Sequence, residues 1–207
     1  MLHRLTTTVV LGWLAIVPAA SGHAEQTYFG FDSSPISWIG RGYTDYQITP
    51  DDGWSFEATR NQVEDSNAEN HLSFYMTNQL PNDPDDPQPA RNWLLQLAAP
   101  NNELIVPGLY TGATRVASKR DEQPGIDLSG TGRGEFTING TFDVLEAEYA
   151  SDGTIARFAV DFTTIEDNNP QEWIVGELRY QSLVPEPSTG FIALLGLGSL
   201  LKRQRRR

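Results

Sequence analysis

The sequence contains no cysteine. Disulfides, thiolate zinc sites and cysteine nucleophiles are therefore excluded, and any folded part must be held by a packed core. Histidine is almost as scarce. His3 and His23 fall in an N-terminal segment that reads as a leader, which leaves His71. One histidine cannot build a multi-histidine metal site. A Ser-His-Asp triad would rest on it with no nucleophile-elbow motif in the chain. No phosphate loop of the Gly-x-x-x-x-Gly-Lys type occurs. Gly130-Thr131-Gly132-Arg133-Gly134 lacks the strand-to-helix context of a dinucleotide site and reads as turn chemistry. Basic residues are few in the middle of the chain: residues 25–183 hold nine Lys and Arg against 26 Asp and Glu, a net charge of −17. Such a surface repels nucleic acid and anionic lipid. Its plain reading is a solvated, aggregation-resistant face; the sharper one is divalent-cation binding. Also missing from residues 25–183 is any convincing 3.6-residue period, so helices are not expected there.

What is present begins with two unusual ends. His3 and Arg4 precede an apolar run at residues 9–17 and the small residues of 18–24. This is the layout of a secretory signal peptide, expected to form a short helix and to be removed. Gly22 and Ala24 suit a cut after Ala24, with a cut after Ser21 as the alternative. At the other end, residues 184–207 read Val-Pro-Glu-Pro-Ser-Thr, then an apolar run at 190–201, then Lys202-Arg203-Gln204-Arg205-Arg206-Arg207. Pro185 and Pro187 exclude helix locally and make an extended handle. As a helix the thirteen residues 189–201 would cover about 20 Å. That is short of a hydrocarbon core of about 30 Å. Snorkelling by Lys202, Arg203, Arg205, Arg206 and Arg207 extends the usable length and keeps that end cytoplasmic. The expected divisions are a signal peptide at 1–24, an exported domain at 25–183 and a membrane-engaging tail at 184–207.

The tail resembles the PEP-CTERM sorting signal of Gram-negative bacteria. Pro185-Glu186-Pro187, the Leu/Gly-rich segment and the arginine cluster carry the resemblance, in that order. It implies recognition and removal of the tail by an integral-membrane protease-transpeptidase, an exosortase, during passage through the inner membrane. It also implies an association with exopolysaccharide and biofilm.

Between the ends, short alternating runs rich in Val, Ile, Phe, Tyr and Trp are separated by Gly, Pro, Asn and Asp. Residues 28–31 form a first strand. Trp54, Phe56 and Ala58 share a face, as do Leu72, Phe74 and Met76, which turns His71 outward. Trp93, Leu95 and Leu97 make another inward set, and residues 109–111 follow a Pro-Gly turn. Residues 81–89 are a Pro/Asp loop. Residues 125–134 read as loop with a short strand at 126–128. Residues 136–150 and 154–166 form a long hairpin about Ser151-Asp152-Gly153. Phe142 and Val144 take one phase and Leu145, Ala147 and Tyr149 the other, so a β-bulge is expected between Val144 and Leu145. Residues 173–180 are the last strand. The sum is an all-β, antiparallel β-sandwich with jelly-roll-like connections, flanked by the signal helix and the hydrophobic tail helix.

From Ser37-Trp38-Ile39-Gly40 to Ser182 the chain also resembles an uncharacterised β-rich domain of exported bacterial proteins. The resemblance is carried by Trp93-Leu94-Leu95-Gln96-Leu97-Ala98-Ala99-Pro100, Gly108-Leu109-Tyr110, Gly132-Arg133-Gly134, Phe158-Ala159-Val160-Asp161-Phe162 and Gly176-Glu177-Leu178-Arg179-Tyr180. It implies no activity. Members often have cysteines where this chain has Glu135 and Glu166. A turn centred on Asp152 brings these two glutamates within a bulge or two of facing each other. They are either solvated edge residues or a close pair that shares a proton or binds a cation such as calcium.

No catalytic residue is expected. With so many acids, some pair will stand at glycosidase distance by chance. Asp51-Asp52, the Asp83 to Asp86 loop and Glu166-Asp167 match no EF-hand. Of the tryptophans in the domain, Trp54 and Trp93 read as core. Trp38 and Trp173 also read most plainly as core but are the candidates for a sugar-binding platform. Asn139-Gly140-Thr141 fits a glycosylation sequon formally, and its Asn-Gly reads as a turn or kink. The expected function is that of a non-enzymatic protein of the cell surface or extracellular matrix. The alternative is a secreted carbohydrate- or calcium-binding module.

Overall fold

The computed structural model describes residues 24–61, 70–78, 92–130 and 132–185. Among them are ten strands: β1 (Gln26–Ser33), β2 (Tyr46–Ile48), β3 (Trp54–Asn61), β4 (His71–Asn78), β5 (Asn92–Ala98), β6 (Gly108–Thr114), β7 (Gly125–Gly130), β8 (Ile138–Tyr149), β9 (Ile155–Glu166) and β10 (Trp173–Ser182). Three short 3-10 turns, Pro50–Asp52, Pro100–Asn102 and Val116–Ser118, join some of them. No helix among the described residues is long and apolar enough to cross a membrane. The expected signal helix and tail helix, and the Pro/Asp loop at 81–89, lie outside the described residues.

The strands form one mixed sheet in the order β2-β1-β10-β9-β8-β6-β7-β5-β4-β3, curled until it nearly closes into a barrel. This corrects the expected two-sheet, jelly-roll-like sandwich. The join that makes one sheet of two is thin. β6 and β7 run parallel and meet at Thr114 and Gly125, while every other strand pair is antiparallel. β7 then pairs along its whole length with β5. Residues 125–130 are therefore a buried strand of this join rather than mostly loop, with Gly125, Ile126, Asp127 and Leu128 all buried.

The expected bulge is present. Val144 faces Val160 and Glu146 faces Ala159, so Leu145 is the extra residue. A bulge increases local twist, which helps the two 12-residue strands β8 and β9 bend round the barrel. Ala147 and Tyr149 resume packing against the core, but Leu145 itself is exposed, contrary to the inward position expected for it. A bulge residue has no ladder partner to hold it on either face. Asn139 and Gly140 are strand residues paired with Ile165 and Thr164, not a turn.

The alternating residues named above fill the barrel. Leu72, Phe74, Met76, Trp93, Leu95 and Leu97 are all buried. Phe31 from β1 meets Trp93 of β5 edge-on at 5.0 Å, and Phe74 of β4 lies 4.9 Å from Phe158 of β9. These contacts cross the interior and hold the two flanks of the sheet together. Two glycines make room for them. A Cβ on Gly130 would stand 2.3 Å from Trp93 Cε3, and one on Gly176 would stand 2.5 Å from Phe162 Cζ. Phe162 is thereby free to stack on Phe29 at 6.2 Å.

Candidate functional site

The first and last strands decide from which pole the tail, the expected tether, leaves the domain. β1 and β10 are antiparallel neighbours, and Gln26 pairs with Ser182. The two ends of the described domain thus leave the barrel side by side at one pole. Arg157 of β9 gathers the acids there: Glu25 at 3.5 Å, Glu146 at 3.4 Å and Glu148 at 2.5 Å. Pro185 is exposed just past this cluster. Glu186, Pro187, Lys202, Arg203, Arg205, Arg206 and Arg207 lie outside the described residues.

The opposite pole is built around Glu166, the last residue of β9. Its side chain is fully buried and turns into the loop at residues 34–40. The Ser37 hydroxyl donates to Oε1 at 2.5 Å, the Trp38 amide to Oε2 at 2.8 Å and the Ile39 amide to Oε2 at 3.3 Å. The Gly40 amide donates to Ser37 Oγ at 2.8 Å, and the Ser34 amide to the Trp173 carbonyl at 2.9 Å. The loop is thus a small nest of donors about one carboxylate, plugged into the core by the buried Ile39. Burial raises the Glu166 carboxyl above its ordinary value. The three donors and the nearby Glu172 act on it less strongly.

This geometry revises the expected pairing of Glu135 with Glu166. Glu166 faces Ile138 across the hairpin, and Glu135 precedes β8, which begins at Ile138. They are not opposed, yet they are close enough to interact. Partial burial and then the charge of Glu166 raise the Glu135 carboxyl. Nor is Glu166 a solvated edge residue. Both its oxygens already accept from N–H and O–H donors. Among the described residues no three His, Cys, Asp or Glu converge as a metal site. No local cue marked Glu166 as buried, because its partners stand 127 to 129 positions away in the chain.

Trp54 and Trp93 are core, but Trp38 is 58% and Trp173 36% exposed, against the plainer reading of both as core. Ile36 and Phe136 are exposed at the same pole, with the Arg115 guanidinium 5.7 Å from the Phe136 ring. Glu166 fixes the backbone of Trp38 while leaving its indole in solvent. His71 is half-buried, with its Nε2 2.9 Å from the Asn61 amide nitrogen and 3.0 Å from that of Gln96.

A groove of about 560 Å³ runs across the solvent face of β6, β8, β9, β10, β1 and β2. Its floor carries an acidic row that the sequence pattern did not reveal. Asp143 faces Asp161, and Asp161 faces Glu177. Buried Arg179 bonds Asp161 at 2.7 Å and Glu177 at 3.1 Å, and its Nη1 reaches the Val160 carbonyl at 3.0 Å. Like charges placed directly across a sheet repel; the adjacent Arg179 guanidinium offsets this for two of the three.

Structure and sequence together define an acidic all-β domain whose two described ends lie side by side at one pole, with a distinct segment of sequence beyond its last strand. Residues 183–207 match the PEP-CTERM protein-sorting motif. The motif marks a bacterial protein that is exported through a membrane, sorted to the cell surface and processed by an exosortase. No curated protein and no solved structure matches the chain.

Proposed function

We propose that this protein is a non-enzymatic β-barrel of the cell surface or extracellular matrix in a Gram-negative bacterium. Its N-terminal leader directs it into the inner membrane, and its C-terminal sorting signal hands it on and is then removed. The observation that carries this reading is the sorting motif at 183–207, which begins directly after β10 ends at Ser182. A folded domain is thereby joined to an address without intervening structure. Support for the non-enzymatic part comes from His71, which is engaged by two side-chain amides, and from Glu166, whose oxygens are engaged by the 34–40 loop. Intact mass of the protein recovered from cells with and without the sorting protease tests the proposal. Loss of the tail is expected only where the protease is present. A full-length chain in both overturns it.

A second reading, carbohydrate binding, is favoured by one observation: Trp38, Phe136 and Trp173 are exposed at the pole away from the tether. Exposed aromatic faces suit sugar rings. Titration with the exopolysaccharide of the producing cell should then give binding that the double variant Trp38→Ala, Trp173→Ala abolishes. Unchanged binding, or none in the parent, removes this reading.

A further inference from the structure

β10 makes its last ladder pair at Ser182, opposite Gln26. Amides beyond that point have no strand to bond, and such an end would ordinarily fray. Here the barrel reaches out to hold it. Glu146, the residue after the bulge in β8, accepts from the Ser182 hydroxyl at 2.6 Å and from the Leu183 amide at 3.0 Å. The Val184 amide donates to Ser182 Oγ at 3.0 Å. The next residue, Pro185, has no N–H to satisfy. Hydrogen bonding from the barrel therefore runs at least as far as Val184, the residue before Pro185-Glu186-Pro187. The Glu146 side chain is only 13% exposed and is backed by Arg157 at 3.4 Å, so both bonds are charge-assisted; the one from Ser182 is partly shielded from water and the one from Leu183 is exposed.

We propose that Glu146 is a positioning residue for removal of the sorting tail. It anchors the chain through Val184, so that the Pro-Glu-Pro element is offered to the membrane-embedded enzyme from a fixed point on the barrel. The proposal rests on the reading that the tail is removed. Chain geometry gives the fixed point its importance. Six residue steps separate Val184 from Gly190, where the apolar stretch of sequence starts. Even fully extended, they span at most about 22 Å. The pole bearing Gln26, Glu146 and Ser182 is thus the face turned to the membrane, and an anchored element has less freedom to lose when the enzyme takes it up. Without Glu146 the anchor slips back to the last ladder pair, and the element loses its fixed origin.

The full-length chain is expressed in an exporting cell that carries the sorting protease, and tail removal is followed by pulse-chase with intact mass. Glu146→Gln and Glu146→Ala are compared with an insertion of Gly and Ser residues between Val184 and Pro185, which keeps the anchor but unties the element from it. Processing several-fold slower is expected in both Glu146 variants. The insertion should reproduce the slowing with an unchanged unfolding midpoint. In the unprocessed protein, amide exchange at Leu183 and Val184 should rise about tenfold or more in Glu146→Ala, the weight of one charge-assisted bond. Faster exchange with normal processing means that Glu146 only stabilises the fold, and overturns the proposal. So does unchanged exchange. If Glu146→Ala fails to fold, the insertion decides: normal processing of that variant overturns the anchor. A wild-type tail left uncut in the presence of the protease refutes the reading of the tail, and the role of Glu146 with it.

Discussion

Replacing Glu166 by alanine tests whether the pole away from the tether is organised as described. The carboxylate is wholly buried and holds three donors from one loop. The bonds from Ser37 and Ile39 are buried, whereas that from Trp38 is partly open to solvent. Alanine therefore orphans two buried donors and leaves the third to water. At about 1–3 kcal/mol for each orphaned buried group, the loss is roughly 2–6 kcal/mol, reduced by any opening of the loop that admits water. A destabilisation of about 3 kcal/mol is expected in urea unfolding. The m-value should hold, since the denatured chain is hardly altered. Exchange at the Trp38 and Ile39 amides should rise with it. Glutamine keeps the shape and one acceptor oxygen, and Ser37 Oγ is able to accept from its amide, so that substitution should cost about 1 kcal/mol. The pH dependence has a definite sign. Burial raises the folded-state carboxyl above its ordinary 4.5, with Glu172 also raising it and the Ser37, Ile39 and Trp38 donors lowering it. The folded protein therefore binds this proton more readily than the unfolded chain. Stability from Glu166 is fullest below about 4.5 and is lost as pH rises through the raised value. Wild type should accordingly lose stability relative to Glu166→Gln on going from pH 4.5 to neutrality. An alanine variant within about 0.5 kcal/mol of wild type, the range of an ordinary surface change, would refute the reasoning.

Three further outcomes can be checked. Gly130→Ala drives a methyl into the Trp93 ring and should destabilise by about 1–3 kcal/mol, with a shifted Trp emission, in the same urea assay. Arg179→Ala removes a buried guanidinium from Asp161 and Glu177, whose side chains are partly exposed and regain water; a loss of about 2–3 kcal/mol is expected, partly restored by Arg179→Met, which keeps a buried apolar stem at this position. Burial pushes the Tyr149 hydroxyl up to about 12, with Arg60 lowering it less and Tyr110 adding slightly, and the hydroxyl donates to the Ile105 carbonyl at 2.8 Å. Ultraviolet titration should find late-titrating tyrosine signal near pH 11 that is reduced in Tyr149→Phe, and stability from this group should be full below 10 and fade towards 12.

Much of the strand layout was legible because each strand writes its own buried face in alternate residues. Leu72, Phe74 and Met76 needed nothing beyond their spacing. The bulge was legible for the same reason, as a break of phase between Val144 and Leu145, although which way Leu145 would point was not. The turn at Asp152-Gly153 and the sorting motif at 183–207 are likewise local, and local chemistry can be read along a chain. The aromatic candidates were harder. Trp93 and Trp54 alternate with core residues, whereas Trp38 sits in a loop with no period to place it.

The sequence by itself determined that the middle of this protein is all-β, acidic and free of cysteine, and that it carries a C-terminal sorting address. Only the tertiary structure decided that ten strands make one nearly closed sheet, through a single parallel pair at Thr114 and Gly125. It alone buried Glu166 in a loop far upstream, lined up Asp143, Asp161 and Glu177 across three strands, and brought Gln26 beside Ser182. The reason is physical. Alternation and turn chemistry act between near neighbours, so any short window displays them. The contacts of Glu166 and the pairing of Gln26 with Ser182 join residues more than a hundred positions apart, and the nearer pairs depend on strand order and register, which come into being when the whole barrel closes around its core.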